Sequence, residues 1–301
     1  MRAATLGVLA AITALPSCIG DRPTGPFRAP TQIAFQTTRT GSLDAYVMNP
    51  DGSGQLNVTH SPANETAPSL SPDARHIAFV SDRSGYLAGE IEVMRVDGSG
   101  RRTLTRNRWD DRAPAWSPGG RRIAFVSTRD RNGEVYVMAA DGRRQRNLTR
   151  NPAEDLDPAW APDSARLVFA SDRTGGGLTE LYVLEADGTA RRLTRNEAND
   201  SDPAWSPDGR WIAFVREEGG SDDLYVMRAD GTNVRRLTET ALNEDGPAWS
   251  PDGARIAFSR GHGVDAELWS IRTDGRGQRL LAENHNGECC VSWGPIRSRS
   301  P

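Results

Sequence analysis

The chain has 301 residues, a net charge of −3, 37 arginines and no lysine against 40 acids, and a mean hydropathy of −0.60. Acids slightly outnumber bases, which speaks against a nucleic-acid binder, because phosphate recognition needs a concentrated basic surface. The length suits one large repeat domain with a buried core.

In chain order, Arg2 is followed by an apolar run from Ala3 to Leu15 and then Pro16, Ser17 and Cys18. This reads as an export signal over 1–17, too short for a permanent membrane helix. Its Leu-Pro-Ser-Cys ending resembles the lipobox of bacterial lipoproteins, which implies acylation of Cys18 and anchoring in a periplasmic or other envelope membrane. Ordinary cleavage near this point is the alternative. Residues 18–30, with Pro23, Gly25, Pro26 and Pro30, read as a tether.

From residue 31 to 296 one pattern recurs: P-A-W-S-P-D-G, I-A-F-V-S-x-R, L-Y-V-M-x-x-D-G, R-R-L-T-R-N. Its Asp-Gly pairs begin at Asp51, Asp97, Asp141, Asp187, Asp230 and Asp274, 43–46 residues apart. Such a period means a propeller or a solenoid. Each copy splits into four short strands, A to D, joined by tight-turn sequences. Runs such as Ile212-Ala213-Phe214-Val215 suit strands covered on both faces, as in stacked blades. The chain enters on a B strand near Gln32 and ends on an A strand near Trp293. The expected fold is therefore all-β: a six-bladed propeller of four-stranded antiparallel blades, the last A strand completing the first blade, with a tail over 297–301.

These motifs resemble the PD-type, WD-like repeat of the TolB propeller family. The resemblance implies an envelope propeller that binds proteins. TolB carries an α/β domain ahead of its propeller, whereas a signal and tether precede Gln32 here. Related repeats in prolyl oligopeptidase-like enzymes lend fold rather than chemistry.

Three residues before the position that opens each A strand the residue is acidic: Glu65, Asp111, Asp155, Asp200, Glu244 and Glu288. Sixfold rotation makes these a ring at one channel mouth, with Asp157, Asp202 and Asp245 nearby. Structurally, each acid would meet the arginine ending strand B, namely Arg39, Arg83, Arg129 or Arg173. Blades five and six have Arg216 and Arg260 instead, expected one residue earlier and on the opposite side of the strand. Functionally, the ring would attract a basic protein or peptide segment, or a divalent cation such as calcium. The variable B–C loops add Tyr86, Trp109 and His262 as possible contacts, while Trp116, Trp160, Trp205, Trp249 and Trp293 read as packing between blades.

Catalytic signatures are missing: there is no G-x-S-x-G, no H-E-x-x-H and no phosphate-cradling loop, and His60, His76, His262 and His285 show no paired spacing. Cys289 and Cys290 suit a strained disulfide or two thiols, and lack the spacing of a zinc site. The expectation is a monomeric, non-catalytic binding scaffold. The alternative is a hydrolase or lyase on polysaccharide or peptide, using carboxylates such as Asp155 and Asp200 as acid and base.

Overall fold

The computed structural model describes residues 31–83, 88–283 and 287–294. These form six four-stranded antiparallel sheets and one short 3-10 turn at Gly263–Asp265. No helix among them is long and apolar enough to cross a membrane.

Blade one is built from both ends of this span. Its A strand is Cys289–Trp293, which pairs with Ile33–Thr37, followed by Asp44–Met48 and Leu56–Asn57. The ring closes there as the repeat count predicted. The other A strands are Glu65–Leu70, Asp111–Trp116, Asp155–Trp160, Asp200–Trp205 and Glu244–Trp249. Successive A strands touch one another all the way round, so they form the wall of the central channel.

The local reasons for the fold repeat with the sequence. At every C–D turn the glycine is left-handed, from Gly275 at φ +83° to Gly231 at +91°, which is what a glycine tolerates best. In each turn the preceding aspartate accepts the N–H two residues on, as Asp51 does from Ser53 at 3.0 Å and Asp230 from Thr232 at 2.9 Å, the Asx geometry expected of Asp-Gly. The glycine of blade one also backs onto blade six: a Cβ on Gly52 would lie 1.9 Å from the Leu281 carbonyl oxygen.

Packing follows from B and C strands that are apolar on both faces. One phenylalanine per blade, Phe35, Phe79, Phe125, Phe169, Phe214 and Phe258, is completely buried. Fully burying such a side chain stabilises the fold by roughly 1.5–3 kcal/mol. The tryptophans ending the A strands pack between blades: the Trp160 indole donates to the Ala115 carbonyl at 3.1 Å, and Trp249 to Ala204 at 3.0 Å.

Candidate functional site

Five of the six ring acids open their A strands and Glu288 directly precedes the sixth, and all are completely buried. Each carries an arginine. Arg129 meets Asp111 at 3.1 Å, Arg173 meets Asp155 at 2.8 Å, and Arg39 meets Glu288. The guanidinium groups of Arg129 and Arg173 also lie over the Phe and Tyr rings of their own blades, within 4.5–5.6 Å of the centroids. A carboxylate in front and aromatic faces beneath hold each arginine in one place.

Two details of that pairing differ from the sequence expectation. Arg216 and Arg260 lie on the same side as their acids, not the opposite one: Arg216 binds Asp200 at 2.6 Å and Arg260 binds Glu244 at 2.7 Å. Their offset from the usual position is two residues, because Asp200 faces Arg216 directly where Asp155 faces Ser171, and a shift of two preserves the face of a strand. In blade two Arg83 instead donates to Ser61 at 3.0 Å, and Arg101 of the C–D turn binds Glu65 at 2.8 Å. Burial still pushes the Glu65, Glu244 and Glu288 carboxyls up, against the opposing pull of their arginines.

A second set of buried acids, with Asp44, Glu90, Glu134 and Glu180 starting their C strands and Asp223 third in Ser221–Arg228, was missed by the sequence reading. They accept hydrogen bonds from the D-to-A segment, as Glu90 does from the Thr105 hydroxyl and the Asn107 N–H, both at 2.6 Å. The signal was available: an acid stands one or two residues before each apolar C-strand core.

Two residues after each ring acid the backbone turns left-handed: Ala67, Ala113, Asp157, Asp202, Gly246 and Cys290, with φ between +48° and +57°. At that point the A–B register slips, for example between Leu156 and Ala159, which makes a bulge in every A strand. The bulges carry Asp157 and Asp202 into one neighbourhood, close enough that the Asp157 charge acts on the Asp202 carboxyl. Asp245 joins them from the residue before the bulge of blade six, and its charge acts on both.

These three differ from the ring acids. Asp157 and Asp202 are half-buried and Asp245 is exposed. Burial, then the Asp245 charge, pushes the Asp157 carboxyl up to about 6, against the pull of Arg112. Burial, Asp157 and Asp245 push Asp202 well up too. Arg112 is itself shared with Asp110 at 2.7 Å. Among the described residues no group of three or more His, Cys, Asp or Glu is placed to hold a metal ion.

Of the expected loop contacts, Trp109 stands not on a B–C loop but between Arg102–Thr103 and Asp111–Trp116, on the D-to-A loop, half-buried beneath the Arg108 guanidinium, 4.8 Å from its ring, and His262 is exposed beside the 3-10 turn. Tyr86 and Cys18 lie outside the described residues. Asp155 and Asp200, the expected acid and base of a hydrolytic reaction, are both buried beneath arginine.

The family model described as the TolB beta propeller domain matches residues 86–297. The chain belongs to the TolB beta-propeller family. Among solved structures it is similar to TolB from Acinetobacter baumannii, with 26% identity and a TM-score of 0.76, over 88% of this chain and 66% of that one. The putative TolB from Agrobacterium tumefaciens shares 21% identity at a TM-score of 0.70, covering 88% and 99% of the two chains. Hydrazine synthase of Kuenenia stuttgartiensis, at 14% identity and 0.73, covers 89% of this chain and 47% of its own, and shares the fold alone. No curated protein matches. The chain thus spans just under two thirds of the Acinetobacter TolB.

Proposed function

We propose that this TolB-family propeller is a non-catalytic scaffold of the cell envelope, anchored through Cys18, that holds a basic protein or peptide segment at its acidic channel mouth. The observation that carries the reading is the trio Asp157, Asp202 and Asp245. The ring acids are paired with their own arginines, whereas Asp157, Asp202 and Asp245 form no ion pair among the described residues, and two of them are crowded enough to hold their protons more tightly than an ordinary aspartate. A cationic group entering among them relieves that repulsion, and clefts of one sign focus potential. Trp109 and His262 stand on loops of the same face as further contacts.

The test is co-purification from envelope extract with the wild-type protein and with the Asp157→Asn, Asp202→Asn, Asp245→Asn triple variant. The partner retained by the wild type is expected to bind the variant at least about tenfold more weakly, or 1.4 kcal/mol. Equal retention refutes the role of this mouth.

A further inference from the structure

Adjacent residues of a strand normally point to opposite faces. Cys289 and Cys290 do not, because the left-handed bulge falls on Cys290 at φ +56°. That conformation, used by all six A strands, brings the two sulfurs of blade one to 3.5 Å, with the Cys290 thiol donating to Cys289 Sγ. Both residues are half-buried, free thiols.

The surroundings distinguish the two. The Gln36 side chain is fixed by accepting the Ala67 N–H at 2.8 Å, and its amide donates to Cys289 Sγ at 3.0 Å. Two donors therefore favour the Cys289 thiolate, and this thiol is held down while that of Cys290 is held well up, first by the hydrogen bond between them. The pair is asymmetric in the sense exchange chemistry needs, with one attacking thiolate and one resolving thiol.

We propose that Cys289 and Cys290 form a reversible dithiol–disulfide couple at the channel wall, oxidised by exchange with a low-molecular-weight disulfide. Cys289 thiolate attacks one sulfur of that disulfide, forming a mixed disulfide and releasing the first thiolate. Cys290 then loses its proton and attacks Cys289 Sγ, releasing the second. The protein gives up two electrons and two protons, and the small disulfide becomes two thiols. The linkage is labile rather than structural, because neighbouring Cα atoms sit about 3.8 Å apart, shorter than the roughly 4.4–6.8 Å that disulfides favour. This inference stands apart from the binding reading.

The experiment equilibrates the full reduced chain over a series of reduced-to-oxidised glutathione ratios, quenches with N-ethylmaleimide and measures the peptide holding both residues by mass spectrometry. That peptide is expected to pass from two maleimide adducts to the form lacking two hydrogens, and to return with dithiothreitol. Two adducts at every ratio, or a lasting glutathione adduct on either residue, overturns the couple. Cys290→Ser should trap glutathione on residue 289, whereas Cys289→Ser should react at least about tenfold more slowly. Equal rates overturn the assigned order of attack.

Discussion

Arg101 and Glu65 meet at 2.8 Å across 36 residues of sequence, and Arg101 stands in for two residues used elsewhere. In blades one, three and six the ring arginine is steadied by a glutamine four residues after the turn aspartate: Arg39 by Gln55, Arg129 by Gln145 and Arg260 by Gln278. Arg101 stands at that glutamine position. Blade two also has Glu92 opposite Phe79, where four blades place tyrosine with ring centroids 5.6–5.9 Å apart and blade six places Trp269 in register with Phe258, and Glu92 binds the same arginine. The charge has moved from strand B to the turn, together with its second partner.

Arg101→Met should therefore destabilise the protein by about 3–5 kcal/mol, since it leaves Glu65 buried without its counter-charge. Arg83→Met, at the position the repeat motif favours, should stay within about 0.5 kcal/mol, because Arg83 is exposed. Urea unfolding of the two variants decides between the structural assignment and the motif.

The turn glycines separate conformation from contact. Gly188 is left-handed at φ +89° with nothing within 4 Å of an added Cβ, so Gly188→Ala should cost about 1–2 kcal/mol for backbone strain alone. Gly52 has the same conformation, but its Cβ would strike the Leu281 carbonyl at 1.9 Å. Gly52→Ala should lower the melting temperature clearly further than Gly188→Ala, measured by thermal unfolding.

Asp157 offers a pH signature. Its folded pKa of about 6 lies above the unfolded value near 3.9, so the folded state holds the proton more tightly. Its contribution to stability is complete below about pH 4 and is lost as pH rises through 6. Asp157→Asn should raise the melting temperature at pH 7.5, and the gain should close as the pH falls towards 4. A gain independent of pH would contradict the assignment.

Cys18→Ser should move the protein from the membrane pellet to the soluble fraction after osmotic release and ultracentrifugation, because a single acyl site is the anchor assigned to it. Retention in the pellet would remove the lipid from the account.

Much of this was legible in the sequence because regularity survives divergence. Six Asp-Gly turns and six acids could be counted, and the Trp293 strand could be matched to a blade lacking its own. The arginine partners were less legible: aligning Arg216 on the S-D-R motif hid a cross-strand register that keeps it facing Asp200. The bulge was invisible, since Ala67, Asp157, Gly246 and Cys290 share a backbone conformation but no side-chain chemistry. The trio of channel acids depends on that bulge, so the sequence named its members without showing why they converge.

The closing strand has a mechanical consequence. The Gly294 N–H donates to the Gln32 carbonyl at 2.8 Å, so the described chain enters and leaves the disc at neighbouring points. A pull applied between those two points is borne by one short ladder of hydrogen bonds, while the other five sheets carry none of the load. Tension along the chain would thus open the disc at its seam before any other blade felt it.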